Sequence, residues 1–177
     1  MTKQIQIVLI LLLIVAFISC NNQESKTGNS SLPIPFNPET LKIPDTGRQK
    51  LLGQLIYMPV YSNIPDMENK NYDLSAFLAV HNTDLKHQIK ITKVDYFNTD
   101  GKLIKSFVSS DQQINPLATM IFTIPKEDQS GTGANFLVEW MADQKVNEPL
   151  IESIMKDLSG PKGISFLSQG RIIREIK

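Results

Sequence analysis

The chain has 177 residues, 18 basic and 18 acidic, with two histidines and one cysteine. A zero net charge without any basic cluster argues against nucleic acid as a partner, because phosphate contacts need an excess of lysine and arginine. A single cysteine rules out an intrachain disulfide or a thiolate cluster, so a folded domain must be held together by its apolar core.

Lys3 is the only charge ahead of an unbroken apolar run from Ile7 to Ile18, which closes on Ser19 and Cys20. This is the layout of a secretory signal: a basic start, a short apolar stretch and a small residue before the cut. The run falls well short of the roughly 20 residues that a helix needs to cross a bilayer core. Phe17, Ile18, Ser19 and Cys20 resemble the lipobox of bacterial lipoproteins. That resemblance implies a signal peptide over 1–19 and lipid attachment at Cys20, where several acyl chains, at about 0.8 kcal/mol per buried methylene, anchor durably. The plainer alternative is an ordinary signal peptide with an incidental cysteine. Asn21 follows the cysteine, and by resemblance to the sorting rule of enteric bacteria this points to the periplasmic face of the outer membrane rather than the inner membrane. Loss of Lys3 with the signal leaves 17 basic and 18 acidic residues.

From 20 to 50 the chain is rich in Asn, Ser, Thr and Pro, including Pro33, Pro35, Pro38 and Pro44. It shows no sustained periodicity and reads as a flexible tether. Beyond Leu51 short β-branched and aromatic runs alternate with turn formers, and 51–177 is the expected domain. Leu55 to Tyr61 carries Pro59, which predicts an edge or bulged strand because proline cannot donate to a ladder. Tyr72 to Asn82 alternates, placing Leu74, Ala76, Leu78 and Val80 on one face. In Ile89 to Phe97 the alternation slips near Lys93, which predicts a β-bulge. Asn98 to Gly101 predicts a tight hairpin, with Lys102 to Val108 returning. Thr119 to Ile124 follows a turn at Asn115 and Pro116. Asn135 to Met141 puts Phe136, Val138 and Trp140 on one face, at the centre of the core. Leu150 to Met155 is ambiguous between strand and helix. Ile164 to Ile176 is one long strand or two broken at Gly170.

Seven or eight short strands with little helical periodicity predict an all-β fold. The first choice is an antiparallel β-sandwich with an immunoglobulin-like arrangement, the second a small β-barrel. Tyr57-Met58-Pro59-Val60-Tyr61-Ser62, Asn82-Thr83, Val94-Asp95-Tyr96, Thr99-Asp100-Gly101-Lys102-Leu103, Gly133 to Trp140 and Gly163-Ile164-Ser165-Phe166 together resemble a family of bacterial envelope lipoproteins known only as a domain of unknown function. The resemblance spans Leu51 to Ile173 and is most specific in the glycine-to-tryptophan block. It implies an exported, single-domain, lipid-anchored protein and brings no activity, cofactor or catalytic residue.

The candidate chemistry is sparse. His81 and His87, with Asp84 between them, could open a metal site, although zinc usually wants three or four ligands; two solvated loop histidines are the plainer reading. Ser130-Gly131-Thr132-Gly133 lacks the lysine and the following helix of a phosphate cradle, and reads as turn geometry. Asp95, Asn135 and Glu139 could converge as a polar pocket with a carboxylate acid or base. Against this, Asn135 bonds to a loop backbone and Glu139 faces solvent or pairs with a lysine. Ser62, Ser165 and Ser168 lack a nucleophile elbow. Tyr57 and Tyr61 are candidates for an aromatic contact surface, with core packing as the default. The expected function is therefore a membrane-anchored, non-enzymatic interaction module in the cell envelope, without cofactor, whose partner is another envelope protein. The alternatives are a periplasmic module for a small ligand or metal, and an envelope hydrolase acting through Glu139.

Overall fold

Proline and glycine punctuation cuts the β-branched runs into twelve strands among the described residues. The computed structural model describes 51–65, 70–159, 161 and 163–176. The expected signal peptide over 1–19, the lipid site at Cys20 and the tether over 20–50 lie outside the described residues. In chain order the strands are β1 (Leu51–Pro59), β2 (Asn63–Pro65), β3 (Asn71–Asp73), β4 (Ser75–His81), β5 (Ile89–Phe97) and β6 (Leu103–Ser106). Then come β7 (Gln112–Ile114), β8 (Thr119–Ile124), β9 (Asn135–Val146), β10 (Leu150–Asp157), β11 (Ile164–Gln169) and β12 (Arg171–Ile176).

Two antiparallel sheets form the body. One runs β12-β1-β9-β5-β6, with β7 also pairing β5, and the other runs β11-β10-β4-β8. The period of two along each strand sends alternate side chains into a shared core. Ile56 and Met58 of β1, Val94 and Tyr96 of β5, and Phe136, Val138 and Trp140 of β9 enter from the first sheet. Ala76, Leu78 and Val80 of β4, Ile151 and Met155 of β10, and Ile124 of β8 enter from the second. Each large apolar side chain so buried contributes about 1.5–3 kcal/mol. Phe107 bridges the layers, its ring 5.6 Å from Phe122 and 5.9 Å from Phe136. Neither sheet closes on itself, so the sandwich holds and the barrel does not.

The expected slip in β5 is a bulge: against β9 the register shifts between Ile91 and Lys93. That shift returns Val94 and Tyr96 to the face of Ile89 and Ile91. The hairpin after β5 is also as expected, with Gly101 at φ 72. β1 takes the bulged form of its expectation, with register shifts between Leu55 and Ile56 against β12 and between Leu51 and Gly53 against β9. It lies between β12 and β9 rather than at an edge, and Pro59 is tolerated because pairing with β12 has already ended at Tyr57. Leu150 to Met155 resolves as strand β10, pairing with both β4 and β11. The last run is two strands in different sheets, separated at Gly170, where a Cβ would lie 2.5 Å from Ile56 Cγ2 and 2.8 Å from Met58 Cε. Only a glycine lets the chain cross there from one layer to the other.

Candidate functional site

The loops at the Gly131 end are fastened by side-chain and backbone bonds. Gly131 sits at φ 93, and a Cβ on it would meet Thr99 Oγ1 at 2.5 Å. Its N–H donates to Ser62 Oγ at 2.7 Å, while Gly133 N–H donates to Thr99 Oγ1 at 3.0 Å. Tyr96 donates its hydroxyl to Asp128 Oδ2 at 2.8 Å. Burial, with the Asp128 carboxylate beside it, holds that phenol well above its ordinary range. The glycines thus serve turn geometry, and the hydrogen bonds of their loop close within the fold.

At another loop cluster, Asn82 and Asp84 organise the β4–β5 connection. Asn82 Nδ2 donates to the carbonyls of His87 and Ile114 at 2.9 and 3.0 Å, and its Oδ1 accepts from Asp84 N–H at 2.9 Å. Asp84 in turn accepts from the N–H groups of Lys86, His87 and Asn147, each at 2.9 Å. Burial pushes its carboxyl upward, but these three donors and His87 outweigh it and leave the pKa below the usual 3.8. His87 Nδ1 is buried without a hydrogen bond and faces Asp84 Oδ1 at 3.2 Å. His81, at the end of β4, has different partners: its Nδ1 lies 2.8 Å from Thr119 Oγ1 and its Nε2 3.9 Å from Glu152. Among the described residues no group of three or more His, Cys, Asp or Glu side chains could hold a metal ion.

Asp95, Asn135 and Glu139 all stand on the outward face of the larger sheet, and Leu137 lies between the two β9 residues and opposite Asp95. Glu139 accepts from Arg174 at 2.8 Å through Oε2 and from Thr92 at 2.9 Å through Oε1. Asp95 accepts from Ser106 Oγ at 2.7 Å. Asp95 and Glu139 are thus carboxylates on a sheet face, each with its own donor. Tyr57 is on the same face, 39% exposed and paired with Leu137 and Arg171. Tyr61 turns to the core margin, its ring 5.9 Å from that of Phe166.

Two features stand apart from these residues. A cleft of about 850 Å³ opens where Gly170 crosses between the sheets, lined by Ile56, Ile151 and Ile172 together with Thr83, Glu148 and Arg171. Its Glu148 accepts at 3.3 Å from the buried Gln54, whose Oε1 accepts from Trp140 Nε1 at 3.1 Å. The second feature is the outward face of the smaller sheet. Cross-strand partners share a face, and the register sets Leu167, Ile154, Phe77 and Thr123 in one row across β11, β10, β4 and β8. The next row is Gln169, Glu152, Ala79 and Ile121, and beyond it lie Leu150, His81 and Thr119. On the other side of the apolar row stand Ser165, Lys156 and Ser75. Ile121, Leu150 and Leu167 are 58, 48 and 47% exposed. A contiguous apolar strip with a polar rim is the usual signature of a contact surface. Its sequence signal is the alternation Leu150, Glu152, Ile154, Lys156, which is visible only once that run is known to be a strand.

Residues 53–173 match the family described as "Protein of unknown function (DUF3124)". No curated protein matches the chain. Among solved structures the chain is similar to the crystal structure of Thermotoga maritima 1070, at 12% identity, over 67% of this chain and 92% of that one, with a TM-score of 0.41.

Proposed function

The chain belongs to the DUF3124 family, and from that premise we propose a non-catalytic docking domain of the bacterial envelope, held at a membrane by lipid on Cys20 and carried on the tether over 20–50. The observation that carries this reading is the outward face of the smaller sheet, where Leu167, Ile154, Phe77 and Ile121 present apolar side chains on regular strands. Rigid strands suit docking, because little side-chain or backbone order remains to be gained on binding. Glu139 and Asp95, the carboxylates a hydrolase would use, are each held by a hydrogen-bond donor on a sheet face. Asn21 directly after Cys20 supports a location at the periplasmic face of the outer membrane. The test is a photoreactive residue at Leu167 in the full chain, in intact cells. A discrete crosslinked protein is expected; a chain that crosslinks to nothing from this face refutes the reading.

A second reading has its own observation, the cleft of about 850 Å³ beside Gly170. Its mixed lining of isoleucines, Glu148 and Arg171 is that of a small-ligand pocket. A ligand at 100 times its dissociation constant stabilises a fold by about 2.7 kcal/mol. A melting temperature unmoved across common metabolites and divalent metals counts against this reading.

A further inference from the structure

We propose that the partner on the outward face of the smaller sheet is a second copy of this chain, packed face to face about a two-fold axis that crosses the strands at Ile154. The inference rests on the docking reading above and names its occupant.

The argument is one of charge and register. A two-fold axis that brings one face against its own copy must lie in the plane between the sheets, and an isologous contact pairs residue i with j and j with i. Two placements of the axis centred on β10 respect the strands. With the axis along β10, each residue of that strand meets itself, so Glu152 opposes Glu152 and Lys156 opposes Lys156. Like charges brought together this way cost several kcal/mol of specificity. With the axis across the strands, through the row of Leu167, Ile154 and Phe77, the strand direction reverses. Each apolar residue of the row then meets its own copy. Glu152 and Lys156 stand two positions before and after Ile154 on the same face of β10, so each meets the opposite charge of the other copy.

The flanking residues follow the same symmetry. Ser165 of β11 comes over Gln169, a hydroxyl against an amide, and Ser75 of β4 comes over Ala79, which is small and 4% exposed. Lys156 Nζ lies 5.7 Å from the centroid of the Phe77 ring, so its charge sits beside the apolar row, within reach of a partner carboxylate across the contact. Facing sheets pack about 10 Å apart with their strands within about 30° of alignment. Four strands about 4.8 Å apart and seven residues long give a face of roughly 400 Å² per copy. That size belongs with the weaker specific interfaces, so the dimer is expected at high micromolar rather than nanomolar concentration.

The experiment is sedimentation equilibrium of the purified full chain in a density-matched detergent, from about 5 to 500 µM, with charge-reversed variants. The wild type is expected to move from monomer to dimer over that range. Glu152→Lys and Lys156→Glu alone each place like charges at both symmetric contacts, and each is expected to weaken the dimer at least about tenfold. An equimolar mixture of the two restores opposite charges at both contacts, and a one-to-one heterodimer at wild-type strength is expected. That recovery also shows that neither variant is misfolded. A wild type that stays monomeric throughout overturns the proposal, as does a mixture no stronger than its components. The docking reading is judged separately by the Leu167 crosslinker. A monomer that crosslinks to a different envelope protein overturns the self-association alone, whereas a monomer that crosslinks to nothing removes both.

Discussion

Asp84 offers the sharpest test of what holds the loops at the base of the sandwich. The residue is 4% exposed, and its carboxylate accepts three backbone N–H bonds at 2.9 Å, from Lys86, His87 and Asn147. The last joins the β4–β5 connection to the turn after β9. Asp84→Ala removes the acceptor from all three. Hydrogen bonds to a charged group contribute about 1.5–3 kcal/mol each, but water can reach donors near a loop surface, so the loss expected is about 3–5 kcal/mol. Asp84→Asn keeps an oxygen for Lys86 and His87 and sets an amide N–H₂ against Asn147, with an expected cost of about 1–2 kcal/mol. Because the folded pKa lies below 3.8, the unfolded chain binds more protons between the two values. The stabilisation is therefore complete above about pH 4 and is lost as pH falls through the folded pKa. Urea denaturation at neutral pH and at steps down to about pH 2 measures both effects. An alanine variant less than about 1 kcal/mol weaker than wild type, or an asparagine variant with the same acid dependence as wild type, refutes the reasoning.

Three further outcomes are expected. Trp140→Phe strands the buried Gln54 Oε1 that it now serves at 3.1 Å and should cost about 2–4 kcal/mol; adding Gln54→Leu should recover at least about 1 kcal/mol of that in a double-mutant cycle read by denaturant unfolding. Gly131→Ala, with φ 93 and only 2.5 Å to Thr99 Oγ1, should cost about 2–3 kcal/mol by thermal melting, whereas Gly101→Ala, with φ 72 and open space around it, should cost only about 1–2 kcal/mol. Glu139→Gln should change stability by less than about 1 kcal/mol, because its partner Arg174 is 59% exposed; an envelope hydrolase activity abolished by this change would overturn the non-catalytic reading.

Much of the sandwich was legible because its strands obey the period of two. Leu74, Ala76, Leu78 and Val80 alternate, and all four are buried. Phe136, Val138 and Trp140 do the same, and the broken phase near Lys93 marked the bulge without any structure. Pro59 pointed to an edge or bulged strand, and β1 is bulged but central: a missing N–H limits only the residue that carries it, and pairing with β12 stops before the proline is reached. β2 and β7, three residues each, are too short for periodicity to rise above loop composition. The site was less legible than the fold. Asp95, Asn135 and Glu139 do share a sheet face, as alternation allows, but a shared face is not a shared cavity, and Leu137 stands among them. His81 and His87 are close in sequence, yet β4 ends with one while the Asp84 turn holds the other. The cleft at Gly170 depends on a strand crossing between sheets, which no local pattern encodes.

The anchor and the face acquire their meaning together. A contact of roughly 400 Å² per copy is weak in solution, and a freely diffusing domain would spend most of its time alone. On the anchoring proposed at Cys20, the copies would share one thin layer and meet more often than in free solution. A dimer with a dissociation constant of about 100 µM would then be favoured at the membrane and mostly absent after release from it. Cys20→Ala, which frees the domain without touching Glu152, Ile154 or Lys156, should accordingly remove dimer crosslinks in cells while leaving the sedimentation constant of the domain unchanged. Loss of both together would place the association in the lipid-bearing segment instead of the sheet.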